Sequence, residues 1–425
     1  AGASVSPSLF LLFPGLPTVM WTYYLALRRC GARGFEMETI AFFLSTLSLA
    51  VTASSAPGSV LKQFIAILLG LTALVVLGVW LRDTSRTQRL RWLMAAAAIA
   101  LLSVTLVLGQ TRFGAANWII LGPLSFQPSE LVKIAFILAG AATLDRLFAK
   151  RNLVFTILFS AYCVGCLALM SDFGTALIFF VAFLCIAFLR TGDLPSIAMM
   201  VAAAAFGCGI ILRFKPYIAD RFAAWRHAWD YAQDIGYQQT RTMSAMASGG
   251  LFGVGPKDGW LKYVGAANTD LVFGVVGEEF GFLLALCCVA ALVIPIVFTL
   301  RCAAAARSSF YTILSCATAA MLVCQMALNV LGAVDLLPLT GVTFPFVSMG
   351  GSSMISCWGL MAYLKAADTR QNASFALRLS KLAPQQREKK AAPAPKARPK
   401  APQEGFFADR PDIPVDKIFG KEEDK

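Results

Sequence analysis

Apolar runs separated by short polar breaks fill most of the chain, and each run approaches the length a helix needs to cross a hydrocarbon core of about 30 Å. They extend over about Leu9 to Leu27, Ile40 to Ala56, Phe64 to Leu81, Leu93 to Leu108, Leu131 to Leu144 and Leu153 to Met170. Five more follow at Thr175 to Leu189, Ile197 to Leu212, Leu271 to Leu300, Tyr311 to Leu331 and Met354 to Tyr363. The pattern predicts an all-α polytopic membrane protein with eleven candidate spans, the first interrupted by Pro14 and Pro17. One polar stretch, about Arg213 to Asp270, is far longer than the other connections and predicts a single large loop.

Basic residues orient the bundle, because short cytoplasmic loops are enriched in them. Arg28, Arg29 and Arg33; Arg82, Arg86, Arg89 and Arg91; Arg146, Lys150 and Arg151; Arg190; and Arg301 and Arg307 fall in alternate loops. The opposite connections near Pro57, Ser171 to Gly174 and Asp335 to Gly350 hold none. The first set is therefore expected in the cytoplasm together with the basic C-terminus, and the long loop outside.

Composition agrees with a membrane protein: 58% of the 425 residues are hydrophobic and 14% charged, against about 25% charged in soluble domains. The net charge of +13 is accounted for by inner loops and a basic tail facing anionic lipid rather than by nucleic acid. The eleven cysteines lie mostly within spans and read as small buried hydrophobes. Cys163 and Cys166 have a redox spacing but no second ligand pair. A single histidine, His227, excludes His-rich metal centres and argues against a Ser-His-Asp triad. No Walker or dinucleotide signature is present. Three parts are expected: residues 1–38, an extra membrane segment with a basic loop; residues 39–366, the membrane core; and residues 367–425, a basic cytoplasmic tail. In that tail 375–382 reads as a short amphipathic helix, and the Pro, Ala and Lys of 384–402 predict disorder.

Polar clusters at the outer ends of spans carry the candidate chemistry. Gln127-Pro128-Ser129-Glu130 reads as a helix start, and Glu130 and Lys133, three apart, can pair on one face either as a capping device or as part of a site. Asp172 in Ser171-Asp172-Phe173-Gly174-Thr175 reads as an N-cap. Asp335 to Gly341 and Pro345 to Ser353, with Ser348, Ser352 and Ser353, suit irregular backbone lining a cavity. The long loop offers Arg213, Lys215, Arg221, Arg226, Arg241, Lys257 and Lys262 to an anionic group. It also holds a glycine-rich stretch, Ser248 to Gly255. At its end Asp270 precedes Gly274, Gly277 and Gly281, small residues that admit a neighbouring helix. Partial burial there would raise the carboxylate's pKa and make Asp270 a candidate general base. Glu278 and Glu279 lie deeper and are assigned to structural hydrogen bonds or a polar interior, with catalysis as the alternative.

Gly122 to Leu131, Asp172-Phe-Gly-Thr-Ala-Leu177, Gly236-Tyr-Gln238, Ser248 to Gly255, Thr269-Asp270, Gly277-Glu-Glu279, Leu337 to Gly341 and Gly350 to Ser353 together resemble the SEDS family of FtsW, RodA and SpoVE. The resemblance runs from about Ile40 to Lys365. It implies a bundle of ten core transmembrane helices, with Leu9 to Leu27 an addition. It also implies a multi-pass protein of the bacterial cytoplasmic membrane: a peptidoglycan glycosyltransferase that polymerises lipid II on the outer face beside a class B penicillin-binding transpeptidase, among other division or elongation proteins. Asp270 matches the family's essential acidic residue, which would deprotonate the acceptor hydroxyl. Glu130, Lys133, Arg221, Gln238, Lys257, Lys262, Thr269, Ser348, Ser352 and Ser353 become candidate substrate-binding residues, with Asp172, Glu278 and Glu279 structural. No cofactor is required, and Mg or Mn beside the pyrophosphate is compatible though no ligand set demands it. The long tail leans toward the division member.

The chain departs from the family pattern at Gly265-Ala266-Ala267-Asn268, at Asn117 where Arg is common, and at Asp335 where Gly is common. Two rival functions share the resemblance: a lipid II flippase and a silent scaffold for the transpeptidase. Base chemistry at Asp270 is needed by polymerisation alone.

Overall fold

The computed structural model describes residues 7–112, 114–122, 124–144, 150–214, 221–304 and 308–368. The expectations for the tail beyond residue 368 and for Lys215 lie outside them. The helices are α1 (Pro7–Arg29), α2 (Glu36–Ser55), α3 (Val60–Trp80), α4 (Thr84–Leu108), α5 (Pro128–Leu144), α6 (Lys150–Leu169), α7 (Phe173–Thr191) and α8 (Leu194–Phe214). After them come α9 (Tyr237–Gly249), α10 (Val272–Glu279), α11 (Gly281–Ala304), α12 (Ser309–Ala333) and α13 (Gly351–Ala366).

Among the described residues, eight helices are long and apolar enough to cross a membrane: the runs at Glu36–Ser55, Pro57–Trp80, Arg86–Leu108, Asn152–Leu169, Phe173–Thr191, Leu194–Ile211, Gly281–Ala304 and Ser309–Ala333. Helices α5 and α13, of 17 and 16 residues, are shorter. They lie inside the bundle, α13 packing along α3 and α5 along α4. Helix α1 continues through Pro14 and Pro17. It is fastened to α2 by Tyr23 Oη donating to Glu38 Oε1 (3.1 Å) and by the Tyr24 and Thr39 hydroxyls (2.8 Å). Glu38 is itself paired with the buried Lys365 of α13.

Two regions differ from the periodicity reading. The run Leu271 to Leu300 is not one span but two helices, α10 and α11, broken at Gly281. That residue has φ +89°, and a side chain there would collide with the Leu251 carbonyl and the backbone of Phe252 and Gly253. Only glycine reaches this conformation at low cost. Ahead of α5 the chain forms a small antiparallel sheet of β1 (Gln110–Arg112), β2 (Ala115–Leu121) and β3 (Leu124–Phe126), in the order β1-β2-β3. Ile119 is opposite Phe126 and Ile120 opposite Ser125. The Ala116 amide also reaches the Met170 carbonyl (2.9 Å), which ties the sheet to the turn before α7.

The long loop is itself structured. Helix α9 packs against α10 at the small positions Gly274 and Gly277, where Thr242 and Met246 occupy the space a side chain would need.

Candidate functional site

Asp270 sits in the turn that starts α10, held by its backbone rather than by chance of packing. Its amide reaches the Ala266 carbonyl (2.9 Å), and its own carbonyl accepts from Asn329 Nδ2 (2.8 Å), which also reaches Val342 O (2.8 Å). One side chain on α12 thus pins the Asp270-bearing turn to the segment 338–342. Ser348 adds a second pin: its hydroxyl donates to Thr269 O (2.6 Å) while accepting from the Phe344 amide (2.8 Å). The Met349 amide reaches Asn268 O (2.8 Å) as a third.

The Asp270 carboxylate faces Gly341. A Cβ built on that glycine would lie 3.3 Å from Asp270 Oδ2 and 4.0 Å from Arg221 Nη1, so the carboxylate and the guanidinium bracket it. Gly341 has φ +73°, a conformation that keeps this position without a side chain. Arg221 is fixed by Nη1 donating to Leu339 O (2.8 Å). Burial pushes the Asp270 carboxyl up to about 7; the Thr269 hydrogen bond and the Arg221 charge pull it down, and Asp172 pushes it up. Asp270 as a whole residue is partly buried.

Asp172 also acts on this carboxyl by its charge. Its Oδ1 caps α7 through the Thr175 amide (3.2 Å), and Oδ2 accepts from Asn117 Nδ2 (2.5 Å) and Gln127 Nε2 (3.1 Å). Asn117, one of the departures from the family pattern, therefore joins the sheet to the site. The Gln127 amide meets Ser352 Oγ (3.3 Å). Behind this wall runs a buried chain: Lys133 Nζ donates to Glu130 Oε1 (2.8 Å) and Gln325 Oε1 (2.9 Å). Gln325 Nε2 in turn reaches Thr343 O (2.9 Å), and the Thr343 and Ser353 hydroxyls meet (2.8 Å). Glu130 and Lys133 are 3% and 1% exposed, so this is an interior ion pair, not a surface bridge.

The remaining predicted residues lie elsewhere. Gln238 Nε2 donates to Gly265 O (3.0 Å), bracing the loop that leads to Asp270. Lys257 and Lys262 stand beside the far end of α10. The Lys257 amide donates to Ser54 Oγ (2.9 Å), and Lys262 Nζ donates to the Lys257 carbonyl. There Glu278 accepts from the amides of Trp260 (2.8 Å) and Leu261 (3.0 Å), and Glu279 Oε1 accepts from Ser54 Oγ (2.6 Å). Burial pushes the Glu279 carboxyl up, against the Ser54 hydrogen bond and the Lys262 charge.

Asn329 and Gln325 were not singled out from the sequence, and Gln127 reads there only as part of a helix start. Asn329 and Gln325 carry a readable signal, since polar side chains inside an apolar span are costly unless they are used.

The family model described as cell cycle protein, covering FtsW, RodA and SpoVE, matches residues 35–373. Peptidoglycan glycosyltransferase RodA of Mycobacterium leprae (strain TN) is 29% identical over 328 residues, spanning 72% of this chain and 69% of that protein. The protein named probable peptidoglycan glycosyltransferase FtsW of Moranella endobia (strain PCIT) is 31% identical over 324 residues, spanning 73% and 82%. Among solved structures, a chain from work on the structural coordination of polymerization and crosslinking by a peptidoglycan synthase complex aligns with TM-score 0.65 at 27% identity. That alignment covers 78% of this chain and 97% of the other. Thermus thermophilus rod shape determining protein RodA aligns with TM-score 0.59 at 25% identity, over 80% and 98%.

Proposed function

The chain belongs to the FtsW, RodA and SpoVE family, and from that premise we propose that it is a peptidoglycan glycosyltransferase polymerising lipid II, with Asp270 as general base. The observation that carries the reading is the Asp270 carboxyl itself. Burial and the flanking Asp172 raise it to about 7 while Arg221 keeps an ionised population available, which suits a base working near neutral pH.

In the step proposed, the acceptor sugar hydroxyl loses its proton to Asp270 as its oxygen forms the new glycosidic bond at the anomeric carbon of the donor. The bond from that carbon to the undecaprenyl pyrophosphate breaks, and its electron pair leaves with the pyrophosphate. Base assistance of this kind is worth about 10²- to 10⁴-fold. Arg221 supplies positive charge where anionic groups must be held, an electrostatic contribution that a partly dehydrated site strengthens. Among the described residues no cluster of three or more His, Cys, Asp or Glu has the arrangement to hold a metal ion. Asp172 already accepts three hydrogen bonds. A Mg or Mn ion therefore has no ready protein ligand set among the described residues.

The orientation read from the basic loops supports an outer-face position for this site, where lipid II would be presented. Likeness to a chain of a peptidoglycan synthase complex supports a class B penicillin-binding transpeptidase as partner. The test is lipid II polymerisation by the purified protein with that partner added. Glycan strands are expected; no strands, with accelerated translocation of lipid II across vesicles, would replace the enzyme with a flippase.

A further inference from the structure

We propose that Asp335 is a positioning residue which holds the loop carrying Arg221 over the Asp270 carboxylate. The inference rests on the polymerase reading above.

Asp335 follows α12 with φ 58°, a left-handed conformation that Asp and Asn adopt more readily than other side chains. Its Oδ1 accepts from the Arg226 amide (3.1 Å) and from Gln239 Nε2 (3.0 Å). Arg226 and Gln239 lie on either side of the segment 227–238, so a single carboxylate oxygen gathers both ends of it. Nearby ties run from the same region to backbone carbonyls: Trp225 Nε1 to Leu336 O (3.0 Å), Gln239 Nε2 to Gly332 O (3.5 Å) and Arg221 Nη1 to Leu339 O (2.8 Å). The carbonyl acceptors are fixed by the path of residues 332–339. Asp335 adds the charged acceptor, and a hydrogen bond to a charged group is about twice as strong as a neutral one.

The consequence reaches Asp270 through Arg221. Four residues separate Arg221 from the clamped Arg226, and the guanidinium end must stay beside Gly341 to bracket the carboxylate. If the clamp opens, Arg221 drifts from Asp270 while Asp172 and Thr269, the other groups acting on this carboxylate, remain in place. Loss of the positive neighbour raises the carboxyl further, so less of the base is ionised at a given pH.

The test compares wild type, Asp335→Gly and Asp335→Asn as full-length protein with the transpeptidase, following lipid II polymerisation from pH 5 to 9. Asp335→Gly accepts the left-handed backbone without strain but removes the acceptor; Asp335→Asn keeps an acceptor oxygen. We expect Asp335→Gly to lose about 10-fold in rate at pH 7 and its acid limb to move to higher pH. Asparagine should restore the rate to within about twofold. Hydrogen exchange over residues 221–239 should rise in Asp335→Gly. A glycine variant with the wild-type rate and pH profile overturns the proposal, even where exchange rises, because the clamp then holds a loop without serving the base. Wild type that makes no strands overturns the polymerase reading and this inference with it.

Discussion

The two ends of α10 carry carboxylates eight and nine residues apart in sequence, and they have opposite fates. Glu278, at the C-terminal end, accepts two backbone amides in the segment Trp260–Leu261. Glu279 is held by Ser54. Asp270, at the N-terminal end, faces a glycine, an arginine and a second aspartate, and its carboxyl lies near neutral pH. Closeness in sequence to Asp270 is therefore a poor guide to role. The guide is whether the carboxylate's lone pairs are already spent on the fold.

The sharpest way to break the comparison is to exchange the outcomes of the two ends. Asp270→Asn should cut the initial rate of strand formation by at least about 10²-fold, whereas Glu278→Gln, which keeps an acceptor for one amide, should retain most of the rate per folded molecule. A Glu278 variant as inactive as Asp270→Asn at unchanged stability would erase the distinction. Next in size, Glu278→Ala leaves the Trp260 and Leu261 amides without their charged acceptor and should cost about 2–4 kcal/mol, read as a lower thermal unfolding midpoint in detergent.

A smaller effect concerns Asp270 and stability. Its folded carboxyl is raised above the ordinary value of about 4, so the folded state binds more protons than the unfolded state across that interval. Stability is then favoured below about pH 4 and declines as pH rises toward 7. Asp270→Asn should accordingly unfold at a higher temperature than wild type at pH 8 and lose that advantage at pH 4; equal midpoints at both would contradict the burial of the charge. Smallest is Glu279→Gln. Glutamine still accepts from Ser54, and the charge it removes is disfavoured by burial, so the midpoint should move by no more than about 1 kcal/mol equivalent.

Much of this arrangement was legible before any coordinates. Apolar runs placed most of the helices, and the polar clusters around Asp172, Asp270 and Ser348 to Ser353, read at the ends of spans, do meet. What escaped has physical reasons. The break between α10 and α11 depends on the backbone of Leu251 to Gly253 crowding Gly281, a tertiary contact that an apolar run from Leu271 to Leu300 does not betray. The sheet of Gln110 to Phe126 is built from strands of three to seven residues, too short for alternation to register against the helical signal around it. In the sequence Lys257 and Lys262 read as substrate-binding residues because the loop carrying them ends at Asp270. The fold instead carries them to Ser54 and Glu279, across the length of α10. Asp335 stood out as a departure from the family pattern, but its use emerges only where Arg226 and Gln239 come together on it.

The most direct measurement is the initial rate of lipid II polymerisation by wild type against pH, from about 5 to 9 with the transpeptidase present. With Asp270 as the base, the rate should climb with one ionisation and reach half its plateau near pH 7, where the buried carboxyl loses its proton. A rate that is flat from pH 5 upward would mean that no such group is needed in its ionised form, and Asp270 would not be the base.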